Sequence, residues 1–146
     1  MLLSYPQQPQ LWGEPVADFE QRVLVDYLAP DTKYGPGHRG IDIQLAPYED
    51  LAAPMNSFLA FSGTVVDRPV VTLSDGKYKA SFEPACALVP LGATVLRGEV
   101  FATHCEPLET YRGHCDSCVH FSARDESGYL SPKYLMGLLG PSVLLG

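Results

Sequence analysis

Apolar and polar residues alternate over short stretches of this chain, and turn residues close almost every stretch. After the loop YGPGHRG, the run IDIQLA beginning at Ile41 alternates as a strand does when one face enters a core. LAAP, SFLAFSGTVV, PVVTLSD and YKASFEPA follow as β-branched or aromatic runs, each closed by Pro, Gly, Asp or Asn. SDGK reads as the hairpin turn between two of them. VPLGATVLRGEVFAT then reads as strand, glycine turn and strand, VHFSAR alternates again, and SGYLSPKYLMGLLG closes the chain with an apolar tail. The earlier segment FEQRVLVDYLAP fits either a strand or a short helix. The pattern predicts an all-β fold, an antiparallel sandwich of short strands. Residues 1–33 are expected to be a lead-in packed onto a domain formed by residues 34–146.

Composition narrows the picture. A chain of 146 residues is the size of one domain. With 46% apolar and 18% charged residues it can fill a core, which argues against disorder along its length. The 13 Gly and 13 Pro, scattered without a period, favour frequent turns over long helices. Seventeen acids against 10 bases give a net charge of −7, and no Lys/Arg cluster offsets it, so a nucleic-acid partner is not expected. No apolar run approaches the roughly 18 residues of a transmembrane helix. The opening MLLSYPQQPQ lacks the basic start and long apolar core of an intact signal peptide.

Candidate chemistry lies in two groups. His38 and Asp42 are separated by three residues, and His120 falls on a different predicted strand. A His, an Asp and a second His are donors suited to Zn²⁺, and three protein ligands with an open fourth position describe a catalytic site. The same residues also suit a turn cap, a backbone-bonded carboxylate and a satisfied core histidine. The second group is Cys105, Cys115 and Cys118, beside His104, His114 and His120, with Cys86 upstream. A closed zinc site, a redox Cys-x-x-Cys and disulfides all fit it. Trp12 and Tyr5 read as packing residues, and Arg39 can reach Asp42 or solvent. Glycines 35, 37 and 40 permit a tight backbone around His38.

The strings GHRGIDI, LAAPMNSFLAFSGTV, PLGATVLRGEVFAT and CVHFSAR, with YLSPKYL behind them, are similar in order and spacing to the lysostaphin/LytM-type zinc metalloendopeptidases, peptidase family M-twenty-three. YGPGHRGID, SFEPA and HC…CVHF further resemble a divergent actinobacterial-like subgroup. The resemblance implies a LytM-type (duplicated hybrid motif) β core and zinc held by His38, Asp42 and His120. It also implies a peptidoglycan peptide as substrate and an extracellular or cell-envelope location. Two further family histidines line the site, and at their places this chain has Pro84 and Cys118. Their proton-transfer and hydrogen-bonding roles are typically worth about 10²- to 10⁴-fold each, so hydrolysis is expected to be weak or absent. Glu83, beside Pro84, is a candidate replacement base, and a solvated strand-end carboxylate is the plainer account of it. The alternative function is a non-catalytic module of the same fold that binds peptidoglycan or docks on another cell-wall hydrolase. Because the subgroup carries a cysteine at both places, a Cys105–Cys118 disulfide is the favoured pairing.

Overall fold

The computed structural model describes residues 11–30, 35–107 and 117–139. The four-residue helix α1 (Phe19–Arg22) runs directly into strand β1 (Val23–Val25), so the ambiguous early segment forms both a helical turn and a strand. Then come β2 (Ile41–Gln44), β3 (Asp50–Ala52), β4 (Ser57–Val65), β5 (Arg68–Ser74), β6 (Lys79–Glu83) and β7 (Ala85–Ala87). They are followed by β8 (Thr94–Val95), β9 (Val100–His104), β10 (Cys118–Asp125), β11 (Gly128–Leu130) and the short helix α2 (Pro132–Leu135). Every paired strand is antiparallel. The larger sheet has the order β1-β2-β10-β6-β5-β4-β8, with β11 also on β10, and the smaller has the order β3-β9-β7.

The expected hairpin turn joins β5 to β6. Asp75 accepts the backbone amides of Lys77 and Tyr78 at 2.8 and 2.7 Å, and Gly76 takes φ 96°, a conformation that costs other residues strain. The apolar tail, by contrast, contains a helical turn that begins at Pro132, where the missing amide costs nothing.

One face of the larger sheet is apolar and the other is not. Ile41, Ile43, Val71, Leu73, Ala80, Phe82, Val119, Phe121 and Ala123 are fully buried. Among the residues that alternate with them, Asp42, Thr72, Ser81, His120 and Ser122 are polar and lie on the opposite face. The core is knitted by aromatic rings. Phe82 stacks on Phe121 at 4.7 Å between centroids, Phe101 meets Phe82 edge-on at 5.3 Å, and Trp12 stacks on the far side of Phe121 at 6.0 Å. Trp12, Val16 and Phe19 are buried in this cluster, so the segment ahead of β2 supplies part of the core.

The disulfide expectation requires correction. Cys105 is bonded to Cys86, with their Cα atoms 5.8 Å apart, and not to Cys118. Strand pairing is the reason: β7 and β9 are neighbours in the smaller sheet, and Cys86 lies opposite Thr103, two residues before Cys105. Cys118 opens β10 in the larger sheet and is disulfide-bonded in its own right. His114 and Cys115 lie outside the described residues.

A salt bridge ties the leading segment to the body. The Arg22 guanidinium donates to Glu49 at 2.8 Å, and the Ala46 amide donates to the same carboxylate at 3.0 Å. The hydrogen bond from Arg22 holds the Glu49 carboxyl below its usual range, opposed in part by burial. A depressed carboxyl pKa adds stability that is complete above the ordinary glutamate value and fades as pH falls through the lowered one. Glu49→Gln is therefore expected to lose up to about 1 kcal/mol at neutral pH. The gap from the parent should close in acid, as measured by urea denaturation across pH. Trp12→Ala is expected to cost about 3–5 kcal/mol in the same assay, as removal of a core aromatic does.

Candidate metal centre

The polar face of the larger sheet carries the three predicted ligands together. In the β2–β10 register, Asp42 lies directly opposite His120, so their side chains leave the sheet side by side. His120 Nδ1 is 2.8 Å from Asp42 Oδ1. His38 precedes β2 and is held by a bridge to Leu28, with backbone hydrogen bonds of 2.8 and 2.9 Å in the two directions. Its Nε2 reaches Asp42 Oδ1 at 3.2 Å, and the two imidazoles meet edge-to-face at 5.0 Å. Ligand atoms from His38, Asp42 and His120 all lie within 4.8 Å of one another. Four-coordinate zinc with bonds of about 2.0–2.1 Å sets its ligand atoms roughly 3.3 Å apart. The nitrogen and oxygen donor set, at 2.8 and 3.2 Å from the shared carboxylate oxygen, fits that ion.

Neighbouring groups hold the rings in place. His38 Nδ1 is 2.9 Å from the Asp26 carbonyl oxygen, which can only accept, so Nδ1 carries a proton and Nε2 is the ring atom turned towards Asp42. Asp42 is wholly buried, flanked by the two imidazoles. Gly40 allows the close approach: a Cβ there would stand 2.5 Å from the Phe121 carbonyl and 2.6 Å from His120 Nε2.

The other sequence candidates fall in different places. Glu83 lies opposite His120 on the other flank of β10, which puts it in the same row across the sheet. Its carboxylate is engaged by Arg68, Nε to Oε2 3.2 Å. Pro84 is buried just beyond the end of β6. Cys118 is buried two residues before His120 on β10, and its sulfur is committed to a disulfide. His104 is buried at the end of β9, where its ring Nδ1 contacts the Ala46 carbonyl at 3.2 Å. Two contributors escaped the sequence reading. Asp26 acts through its backbone carbonyl, which no side-chain pattern signals, and Arg68 meets Glu83 only because β5 and β6 pair.

From the centre a groove of about 450 Å³ runs along the polar face, with His120 and Glu83 in its wall. Gly40→Ala is expected to force β10 or the His120 ring aside and to cost about 1–3 kcal/mol. Denaturant midpoints check the cost, and displaced His120 imidazole resonances in NMR check its place.

No protein-family model matches the chain. Uncharacterized proteins of Mycobacterium tuberculosis and Mycobacterium bovis are 32% identical over 87 residues, covering 56% of this chain. The chain spans only about a third, 35%, of those relatives' length. Among solved structures, a zinc containing peptidase from Vibrio cholerae aligns with TM-score 0.67 at 12% identity, over 83% of this chain and 39% of that one. LytU aligns with TM-score 0.63 at 16% identity over 90% of both chains. The catalytic domain of the antimicrobial peptidase lysostaphin from Staphylococcus simulans aligns with TM-score 0.62 at 15% identity, over 77% of this chain and 90% of that one. The chain thus has the lysostaphin/LytM-type peptidase fold.

Proposed function

We propose that this chain is a zinc metallopeptidase-like domain directed at peptidoglycan peptides in the cell envelope, with His38, Asp42 and His120 as its metal ligands. The observation that carries the reading is the convergence of these three donors, of which His120 lines an open groove. The fold shared with peptidases supports it. The Cys86–Cys105 disulfide suits an oxidising, extracellular setting. We take residues 34–146 as the peptidase-like unit and residues 1–33 as its lead-in, of which Trp12, Val16 and Phe19 pack in the core.

A bound zinc ion supplies Lewis-acid polarisation of a peptide carbonyl and acidifies a water molecule. The protein's own part is to position and to handle protons. The Asp26 carbonyl fixes the His38 tautomer. The Asp42–His120 contact fixes the orientation of the second imidazole. Glu83 stands beside His120 as the candidate base, but one of its oxygens is drawn to Arg68. Cys118, with its sulfur in a disulfide, and Pro84, with no ionisable group, transfer no proton. Turnover is therefore weak or absent in this reading. The same observation favours a second one, a non-catalytic module that keeps the groove and grips wall peptide or another cell-wall hydrolase.

The purified protein is expected to hold stoichiometric zinc by elemental analysis and to lose it in Asp42→Ala. A protein that neither carries nor takes up zinc removes the metal assignment. In a peptidoglycan digest followed by mass spectrometry, new amine termini that vanish in Asp42→Ala establish turnover. Retention of wall fragments without cleavage establishes the module.

A further inference from the structure

On the polar face of the larger sheet, side chains fall into rows because paired residues of neighbouring strands share a side. The row at the metal end holds Asp42, His120 and Glu83. The next holds Ser122, Ser81 and Thr72, whose hydroxyls line the groove floor, with Thr72 Oγ1 and Ser81 Oγ 2.8 Å apart. The third row places Arg124 directly opposite Lys79. Same-face residues recur about every 6.6 Å along a strand, so this third row lies roughly 13 Å from His120.

The third row is electrostatically unusual. Like charges directly opposite one another on a sheet repel. Among the described residues, no acid forms an ion pair with Lys79 or Arg124. The groove as a whole concentrates positive charge. Among the described residues, four cations line it (Arg39, Arg68, Lys79 and Arg124) against one acid, Glu83, which Arg68 engages together with Asp67. In a protein of net charge −7 this is a local reversal of sign, and a groove with low-dielectric walls focuses such a field. A compact anion held between the two cations would relieve their repulsion and gain charge-assisted hydrogen bonds.

We infer that Lys79 and Arg124 form a carboxylate-recognition subsite for an extended peptide whose reacting bond lies at the metal end. At about 3.3 Å per residue, the acidic side chain or terminus sits about four residues from that bond. A long polyanion fits less well, because beyond the groove it meets a surface of net negative charge. The inference rests on the reading of the groove as the peptide cleft, and it names the chemistry that the cleft selects.

The test uses the metal-free full chain and calorimetric titration with blocked Ala/Gly octapeptides carrying a single Glu at successive positions, each with a Gln counterpart. At low salt, Glu at the favoured position is expected to bind about tenfold more tightly than Gln. The preference should vanish in Lys79→Gln/Arg124→Gln and survive in the charge-keeping pair Lys79→Arg/Arg124→Lys, with circular dichroism confirming that both variants fold. Equal binding of Glu and Gln peptides, absence of binding to any Glu peptide, or a preference that persists in the neutral pair overturns the proposal. Displacement by inorganic phosphate at the concentration where the Glu peptide acts marks a general anion site and overturns it as well. Because metal is absent throughout, a protein that never binds zinc but keeps the glutamate preference refutes the metal assignment alone.

Discussion

The pairing of β2 with β10 is the constraint on which the rest depends. One register sets Asp42 against His120 on the polar face and, in the same stroke, buries Ile41, Ile43, Val119 and Phe121 on the other. A slip of one residue would turn both apolar sets to solvent and the site residues into the core. The free energy that holds the site together is therefore largely hydrophobic, and it is spent on the opposite side of the sheet from the chemistry. A buried carboxylate such as Asp42 is costly unless it has partners. Here the burial of its strand neighbours holds it in place, while two imidazoles meet it from outside the core.

The aromatic cluster extends that logic to the leading segment. Phe121 is adjacent to His120 and stacks between Phe82 and Trp12, so packing of the chain's early residues bears directly on the strand that carries a ligand. Leu28 and Asp26 complete the link from the same segment, one by bridging to His38 and the other by bonding its ring. Residues ahead of β2 thus contribute to the core and to the orientation of the first ligand.

Electrostatics divides the same face into two ends. Near the ligands, negative groups alternate with imidazoles, as suits a cation. Farther along, beyond a row of hydroxyls, Lys79 and Arg124 present positive charge. The segregation follows from alternation along β6 and β10, each of which supplies one residue to every row.

Much of this was legible in the sequence, and the physical reason is that alternation is local. IDIQLA and VHFSAR each show period two, which marks their strands and separates core from polar positions without knowledge of any neighbour. The types and spacing of His38 and Asp42, with His120 on another alternating run, named the donor set, and the block resemblance named the fold. What tertiary structure alone decided are relations between strands. Cys105 bonds to Cys86 because β7 lies beside β9, and no spacing of cysteines encodes that adjacency. Glu83 meets Arg68, and Lys79 meets Arg124, only through the order β10-β6-β5 and its register. A backbone carbonyl such as that of Asp26 becomes a positioning group only when the chain folds back onto His38. Residue chemistry and period belong to the sequence, whereas who faces whom is settled by the collective burial that selects one sheet order and one register.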